Sequence, residues 1–461
     1  MGHFVFNGRW VPIFRCDMVV KMNITWNTEE KLSMADIKEA LKHYKQSDEY
    51  HRLRMYDQYY SVDNPNIKAQ YIDRKERNKT PNNFVPSAFY KTIVDTMAGF
   101  MFSNVQYTSD EENYNEELNS WLYDNNYSIK NMKTGVNSLC YNKGLELCYT
   151  LFDGNTVKLK YACLDPLSTI LVYDNQIEPQ LFCAIRFISA GENSYTIDVI
   201  YKDEWQYYKL KNDEMWQYEE PRELFFDECP VIVYRSEIIG ENSPFHQVLN
   251  YIDALDIVLS GNSDEIQRLV DALLVISKKM KDSELNRMQE MKVLQGMKSD
   301  DRAEYLEKNM SPEFRKYVSE LLVNEMHKSA HVVDWYGTDS TSGPLSAKAM
   351  RTRLFDMDMY SNRIEKIFKE GDEKKIRIYN SMLPFINRGI QPQEVSVNYV
   401  RSYPSDFEDI APILNNLTFV STRYKLQKLG VDDIEAEIEA IEEEKQKNME
   451  NFNFDFESNE E

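Results

Sequence analysis

Between Met310 and Pro384 the hydrophobic positions fall at helical spacing twice, with one polar break between the two runs. Ser311-Pro312, a capping serine and a first-turn proline, opens the first run. Phe314, Val318, Leu321, Leu322 and Met326 then recur every third or fourth residue. The break, Trp335-Tyr-Gly-Thr-Asp-Ser-Thr-Ser-Gly-Pro344, is made of turn formers and predicts an exposed loop. A longer helix is predicted after it. Ala347, Met350, Leu354, Met357, Ile364, Phe368, Ile378 and Met382 form its apolar side, and Gly371-Asp372 predicts a kink rather than an end. Two antiparallel helices joined by a loop are too narrow to enclose a core, so the pattern predicts one spoke of a ring.

Upstream, Ser33 and Ser47 predict two helices, one bearing Ile37, Leu41 and Tyr44, the other Tyr50, Leu53, Tyr56 and Tyr60 and ended by Asn64-Pro65. A basic loop follows in which Arg74, Lys75, Arg77 and Lys79 are either phosphate contacts or a solvated face. Ser87 predicts the start of a helix with Phe89, Ile93, Met97 and Met101 on one side, Val105 to Tyr107 a strand, and residues 115–143 further helix. From Gly144 to Tyr234 the period changes to two. Strands are predicted over 145–152, 156–163, 168–173, 180–188, 195–201, 205–210 and 231–234.

Residues 1–30 contribute only short β-like runs at Phe4 to Phe6 and Val19-Val20. After Ser243-Pro244 a helix carries Val248, Ile252, Leu255, Leu259, Ile266, Leu269 and Leu273, and 272–277 turns β-like before a charged stretch over 278–309. Val395 to Val400 is a strand candidate, and apolar residues from Ile410 to Ile441 predict a last helical region. The acidic tail 448–461 has little to pack and is expected to be disordered. The fold class is α+β, mainly helical.

Composition narrows the reading. The 461 residues suffice for two or three domains, aromatic content is 13%, and Gly and Pro stand at only 15 each, which excludes fibrous and disordered classes. A net charge of −22 argues against a surface that clings to nucleic acid, while leaving room for a conduit in which sticking would be a fault. Cys16, Cys140, Cys148, Cys163, Cys183 and Cys229 lack CxxC spacing and are expected to be reduced, packed thiols. No apolar run approaches the roughly 18 residues of a bilayer span and no signal peptide opens the chain, so a soluble protein without a membrane partner is expected. Met1-Gly2 hints at myristoylation, but Phe6 stands where Ser or Thr is needed.

Catalytic motifs are missing: there is no GxxxxGK[ST], HExxH, GxSxG or GxGxxG. His327 and His331 have the i, i+4 spacing of a metal pair, yet no Glu lies between them in sequence and no third ligand stands nearby; polar helix-face histidines are the plainer reading. Asp356 and Asp358 suggest a Mg²⁺ carboxylate pair, but residues two apart on a helix diverge. A metal-dependent DNA-processing hydrolase is therefore the rival class. No cofactor and no resident metal are expected.

One stretch, Pro81-Asn-Asn-Phe-Val-Pro-Ser-Ala-Phe-Tyr-Lys-Thr-Ile-Val-Asp-Thr-Met-Ala-Gly-Phe-Met-Phe-Ser-Asn-Val-Gln-Tyr107, resembles the portal proteins of long-tailed double-stranded DNA phages. Asp165 to Asp174 with Ala184 to Arg186 is similar to the family's wing strands. Tyr251 to Asp256, with Ser260 and Asp264-Glu265, is similar to its first stem helix. Ser405 to Pro412, Val420 to Gln427 and Asp432 to Glu439 are similar to its crown. The matches are collinear over roughly residues 80–445; residues 1–30 and the tail stand outside them. One departure is Ala347 in Ser346-Ala-Lys-Ala-Met350, where the family often has Gly; Ser342-Gly343 lies just upstream.

The resemblance implies a homo-oligomeric ring, usually of about twelve subunits, at the capsid portal vertex of a virion, assembled in the host cytoplasm. Double-stranded DNA would pass through it during packaging and ejection. It implies a wing over 1–244, stem helices over 245–271 and 311–333, and a clip over 272–310. A tunnel loop over 334–345, a long kinked wing helix over 346–384 and a crown over 385–447 complete the set. Implied partners are the terminase large subunit and the head-completion adaptor at the clip, and the major capsid and scaffolding proteins. Thr338, Asp339, Ser340, Thr341 and Ser342 would touch DNA through short polar side chains, in a loop free of Lys and Arg, as a sliding surface requires. Lys316 and Lys328 are either lumen phosphate guides or partners of Glu313, Glu320 and Glu325; Lys278, Lys279 and Lys281 either meet an acidic partner or DNA, or form a solvated face. A ring-forming capsid scaffold or adaptor without a DNA channel is the remaining alternative.

Overall fold

The computed structural model describes residues 24–26, 30–76, 81–153, 156–270, 274–276, 303–305, 312–334, 347–387, 389–401, 421–429 and five positions between 434 and 441. The β-like runs near Phe4 and Val19, the basic positions Arg77 and Lys79, and the helical expectation at 410–417 lie outside them. The chain forms two units, Met1–Ser340 with Asp356–Arg401, and Thr341–Phe355 with Ser402–Glu461.

Ser33 opens α1 (Met34–Lys45) with a reciprocal box: its side chain accepts from the Asp36 N–H while Asp36 accepts from the Ser33 N–H. Ser47 caps α2 (Asp48–Tyr60) from one side only, accepting from the Tyr50 N–H. Asn64-Pro65 does not merely end this segment; it starts another helix, α3 (Pro65–Glu76). Proline is pre-set for a first turn, and Asn64 Oδ1 accepts the N–H groups of Asn66 and Ile67. Arg74 and Lys75 therefore stand in the last turn of a helix, not in a basic loop.

The next helix is α4 (Phe89–Phe102), and Ser87 is not its cap. The Ser87 N–H donates instead to Asp256, 2.8 Å away. α5 (Glu112–Asp124) and α6 (Tyr127–Tyr141) complete the first helical group, and Gly135 of α6 is required where it is: a Cβ there would come within 2.2 Å of the Phe102 ring.

A six-stranded sheet follows the order β1-β5-β6-β7-β8-β9, from β1 (Ile24–Trp26), β5 (Thr169–Asp174), β6 (Leu181–Gly191), β7 (Ser194–Ile200), β8 (Glu204–Lys211) and β9 (Glu214–Glu223). β1 joins parallel and the rest are antiparallel. α1 covers it, burying Ile37, Leu41 and Tyr44 against Ile170, Val172, Ile185, Ile197 and Val199. β1 and β9 escape the sequence pattern. The first is too short to show a period, and β9 is an edge strand whose side chains stay largely in solvent, so selection for alternation is weak.

β3 (Gly144–Asp153), β4 (Thr156–Leu164) and β10 (Val231–Tyr234) form a second sheet, and β2 (Val105–Thr108) pairs with β13 (Ser396–Tyr399). β11 (Leu274–Ile276) and β12 (Ala303–Tyr305) close an antiparallel ladder across the charged stretch. Among the described residues the first unit also holds α7 (Leu249–Val270), α8 (Pro312–Ala330) and residues 356–386 of the 40-residue α9 (Ala347–Ile386). α9 continues past Pro384, two residues beyond its expected end. The second unit contains α10 (Thr422–Leu429).

Candidate channel stem and its anchorage

α7 and α8 lie antiparallel. Arg315 near the start of α8 pairs with Glu265 and reaches Asn262 Oδ1 at 3.4 Å near the end of α7, while Gln247 before α7 donates to the Ser329 carbonyl at 2.8 Å. Helices were expected over 245–271 and 311–333; a 3-10 turn, His246–Val248, precedes α7 in the first of these spans.

What holds α7 to the helical body is a side-chain ladder. Asp256, Ser260 and Asp264 recur every fourth residue and so line one face of α7. Asp256 Oδ1 accepts the Ser87 N–H at 2.8 Å, Ser260 Oγ the Val85 N–H at 3.1 Å, and Asp264 Oδ1 the Asn83 N–H at 2.7 Å. Four helical residues rise ~6 Å and two extended residues ~6.7 Å, so the repeats nearly match. Val85 precedes Pro86, which biases it to the extended conformation the ladder needs. The remaining oxygens are also used: Asp256 Oδ2 accepts from Asn64 at 2.8 Å, and Asp264 Oδ2 pairs with Arg74 at 3.4 Å. Burial pushes the Asp256 carboxyl above its ordinary range, opposed by the bonds from Ser87 and Asn64. Asp253 adds Tyr59 and Asn66, both at 2.7 Å. The segments 81–87 and 251–265, whose resemblance to the portal family stood out in sequence, are thus the two halves of one joint.

A second joint fixes α9. Lys375 and Glu146 are both wholly buried, with Nζ 2.8 Å from Oε2. Thr134 donates to the other Glu146 oxygen at 2.8 Å, and Lys375 also donates to Asn131 Oδ1 at 3.3 Å. One turn back, Asp372 accepts from Tyr107 at 3.0 Å, from Tyr234 at 3.3 Å and from Tyr399. Burial raises the Asp372 carboxyl, against Lys375 and the tyrosine hydroxyls. Burial alone would lower the Lys375 ammonium, but Glu146, Tyr107, Tyr161 and Asp372 outweigh it and hold it well above its ordinary value. Helix α9 is continuous at Gly371, where a Cβ would come within 2.3 Å of the Tyr234 ring; the glycine admits that ring. Neither joint was read from the sequence as an anchor, although the signal was there. Lys375 and Asp372 interrupt the apolar stripe of α9, and Asp256, Ser260 and Asp264 that of α7. Polar residues on a core-facing stripe need buried partners.

Around α8, at ~100° per residue, Phe314, Tyr317 and Leu321 share a stripe about 60° wide. They are 58%, 61% and 45% exposed, whereas Met326 and Ala330 on another face are buried. Lys316 and Lys328 stand about 120° apart and do not line one face. Lys316 is 3.7 Å from Glu320 and Lys328 3.0 Å from Glu325, both pairs within α8 and exposed.

His327 and His331 do not form the helical pair their spacing suggested. α8 ends at Ala330, and His331 has φ 54°, so its ring leaves the helix face. It stacks on Tyr360 with centroids 4.4 Å apart and bonds Asp356 at 2.9 Å, while His327 bonds the Val332 carbonyl at 3.1 Å. Asp358 pairs with Arg401 at 3.2 Å. The two aspartates serve different partners. Cys140, Cys148, Cys163, Cys183 and Cys229 are free thiols. Thr338, Asp339, Ser340, Thr341, Ser342 and the lysines Lys278, Lys279 and Lys281 lie outside the described residues.

The chain thus joins an antiparallel helix pair to a mixed body of helices and sheets. Residues 39–451 match the family described as phage portal protein, SPP1 Gp6-like, and the chain belongs to that family. It is a phage portal protein, a component of the capsid vertex. Among solved structures it is similar to a chain in the neck of an empty gene transfer agent particle computed with C6 symmetry, at 11% identity over 83% of this chain and 94% of that one, TM-score 0.45. A chain in the neck of the native particle computed with C12 symmetry is 10% identical over 81% and 92%, TM-score 0.41. No curated protein matches the chain.

Proposed function

We propose that copies of this chain close into a ring of about twelve subunits through which double-stranded DNA is packaged and ejected. The observation that carries this reading is the exposed stripe Phe314, Tyr317 and Leu321 on α8. Three large apolar side chains in a row on a helix already paired with α7 call for a neighbour, and a stem of adjacent helix pairs supplies one. Lys328 falls within that stripe and belongs to the subunit boundary, where it stays paired with Glu325. Lys316, on the opposite side, is the phosphate guide facing the lumen, its charge tempered by Glu320.

In this reading residues 1–244 are the wing, 245–271 and 311–333 the stem, 272–310 the clip, 334–345 the tunnel loop, 346–384 the long wing helix and 385–447 the crown. The short polar side chains of Thr338 to Ser342 centre the duplex without gripping it, as weak contacts must when about one charge passes per 1.7 Å. Lys278, Lys279 and Lys281 in the clip meet the terminase large subunit and later the head-completion adaptor. Major capsid and scaffolding proteins hold the ring in the shell. The role is structural; the energy for translocation is supplied by the motor.

Electron microscopy of the purified protein, with light scattering beside it, tests the ring. Closed rings with a central channel and a mass near twelve times 54.5 kDa are expected. A chain that stays monomeric across concentration and salt refutes it. For the tunnel loop, Asp339→Lys should leave rings intact and slow packaging, and unchanged translocation removes the assignment.

A further inference from the structure

The loop from Ser236 to Asn242 is pinned along its length and yet holds two isoleucines out in water. Asn142 Oδ1 accepts the N–H groups of Ser236 and Glu237 at 2.8 and 3.0 Å, and its amide donates to the Gly240 carbonyl at 3.4 Å. Glu237 is held by Arg363 at 2.6 Å and Tyr360 at 3.2 Å, and Glu241 by Arg52 at 2.6 Å. Gly240 takes φ 85°, which turns the chain back. Between these fixed points Ile238 and Ile239 are 63% and 65% exposed. A lone exposed apolar residue is ordinary, but two adjacent ones on a restrained loop are already ordered for contact and lose little entropy on binding. Arg235 beside them has no hydrogen-bond or ion-pair partner among the described residues.

A second apolar patch differs in kind. Phe225 and Phe385 stack with centroids 6.4 Å apart while 56% and 53% exposed. Nearby, Arg222 lies over the exposed Phe152 ring at 5.7 Å. Flanking Phe225 along the chain, the carboxylates of Glu220, Glu223 and Asp227 have no ion-pair partner among the described residues. One patch is aliphatic with a spare cation, the other aromatic with spare anions. They cannot meet within a chain: Arg363 at the first and Phe385 at the second are about 33 Å apart along α9 at ~1.5 Å per residue.

We propose that Ile238 and Ile239 of one subunit pack on the Phe225–Phe385 pair of the next, with Arg235 facing Glu220, Glu223 and Asp227. The occupant is a second copy of this chain, because two unlike, charge-complementary patches on one subunit make a head-to-tail contact, the kind that closes rings. This inference rests on the ring reading above and names part of its interface.

The test uses full-length chains in two variants, Ile238→Asp with Ile239→Asp, and Phe225→Asp with Phe385→Asp, followed by light scattering. Each variant alone should lose assembly, its association weakened by at least roughly 30-fold as for a hot-spot residue. Mixed in equal amounts they should form a dimer near twice 54.5 kDa, since each supplies the surface the other lacks. That complementation also shows that both variants fold. Rings from either variant alone, at the wild-type concentration dependence, overturn the proposal and leave the patches to another partner. A mixture that stays monomeric overturns the pairing of these two patches. Wild-type chains that never associate remove the ring reading and this inference together, whereas wild-type rings with unaffected variants remove only the inference.

Discussion

Replacing Lys375 by Met should be among the most destabilising single changes in the chain. At 2.8 Å the Lys375–Glu146 attraction is about 6 kcal/mol for an effective dielectric of about 20. Bringing two ions out of water costs several kcal/mol each, so the intact pair contributes little on balance. Lys375→Met removes the attraction and leaves Glu146 and Asp372 in the same buried cluster without their cation, at a cost of about 3–5 kcal/mol. Thr134 and the tyrosine hydroxyls still donate to these carboxylates, which keeps the loss within that range. Urea unfolding followed by tryptophan fluorescence reports it, since Trp121 packs on Tyr379 of the same helix, centroids 4.6 Å apart. The double variant Glu146→Gln, Lys375→Met should recover at least half of the loss, because the nearer of the two orphaned charges is gone while Asp372 keeps its tyrosine donors. The pH dependence has a definite sign. Asp372 already sits above its ordinary range through burial, with Lys375 opposing, so the variant raises it further. A carboxyl raised in the folded state favours folding most below its unfolded value and loses that advantage as pH rises through the folded value. The deficit should therefore be smallest in acid and grow toward neutrality. A Lys375→Met protein within about 1 kcal/mol of wild type at neutral pH refutes the reasoning.

Gly371→Ala sets two effects against each other. Helix propensity favours alanine by about 1 kcal/mol, but the added Cβ meets the buried Tyr234 ring at 2.3 Å, and overpacking costs about 1–3 kcal/mol, so a net loss is expected; a stabilised variant would show that the ring moves aside freely. The α7 ladder is tested amide by amide in hydrogen exchange. Asp256→Ala should deprotect Ser87, Ser260→Ala should deprotect Val85 with a smaller loss of stability, about 1 kcal/mol against about 2–3, and Asp264→Ala should deprotect Asn83. Uniform exchange across residues 83–87 in all three variants would mean the segment opens as one piece and the rungs are not separately holding it.

Local order was legible wherever one periodicity or one cap decides it. Ser33 and Ser47 announce their helices because a side-chain oxygen before an apolar repeat satisfies free N–H groups whatever the rest of the chain does. The inner strands are legible because much of their length is buried, while β9 escapes because its residues stay largely in solvent. Ser87 misled for the same reason in reverse: its environment is set by Asp256, 169 residues away, not by the helix that follows. The portal resemblance was legible from collinear segments, two of which prove to be partners in one ladder.

Legible in the sequence alone were therefore the class of fold, a helix pair expected over 245–271 and 311–333 and found at 249–270 and 312–330, and the family. Only the tertiary structure decided what the odd polar residues on apolar stripes are for. Lys375 carries no mark of its role in the sequence and is the centre of a buried ionic cluster; His331, whose plainer reading was a polar helix-face histidine, is turned off the helix onto Tyr360. The physical reason is that a cap or a period is satisfied within a few residues, whereas a buried charge is tolerated only through groups brought from Glu146, Asn131 and Tyr161, more than 200 residues away in the chain.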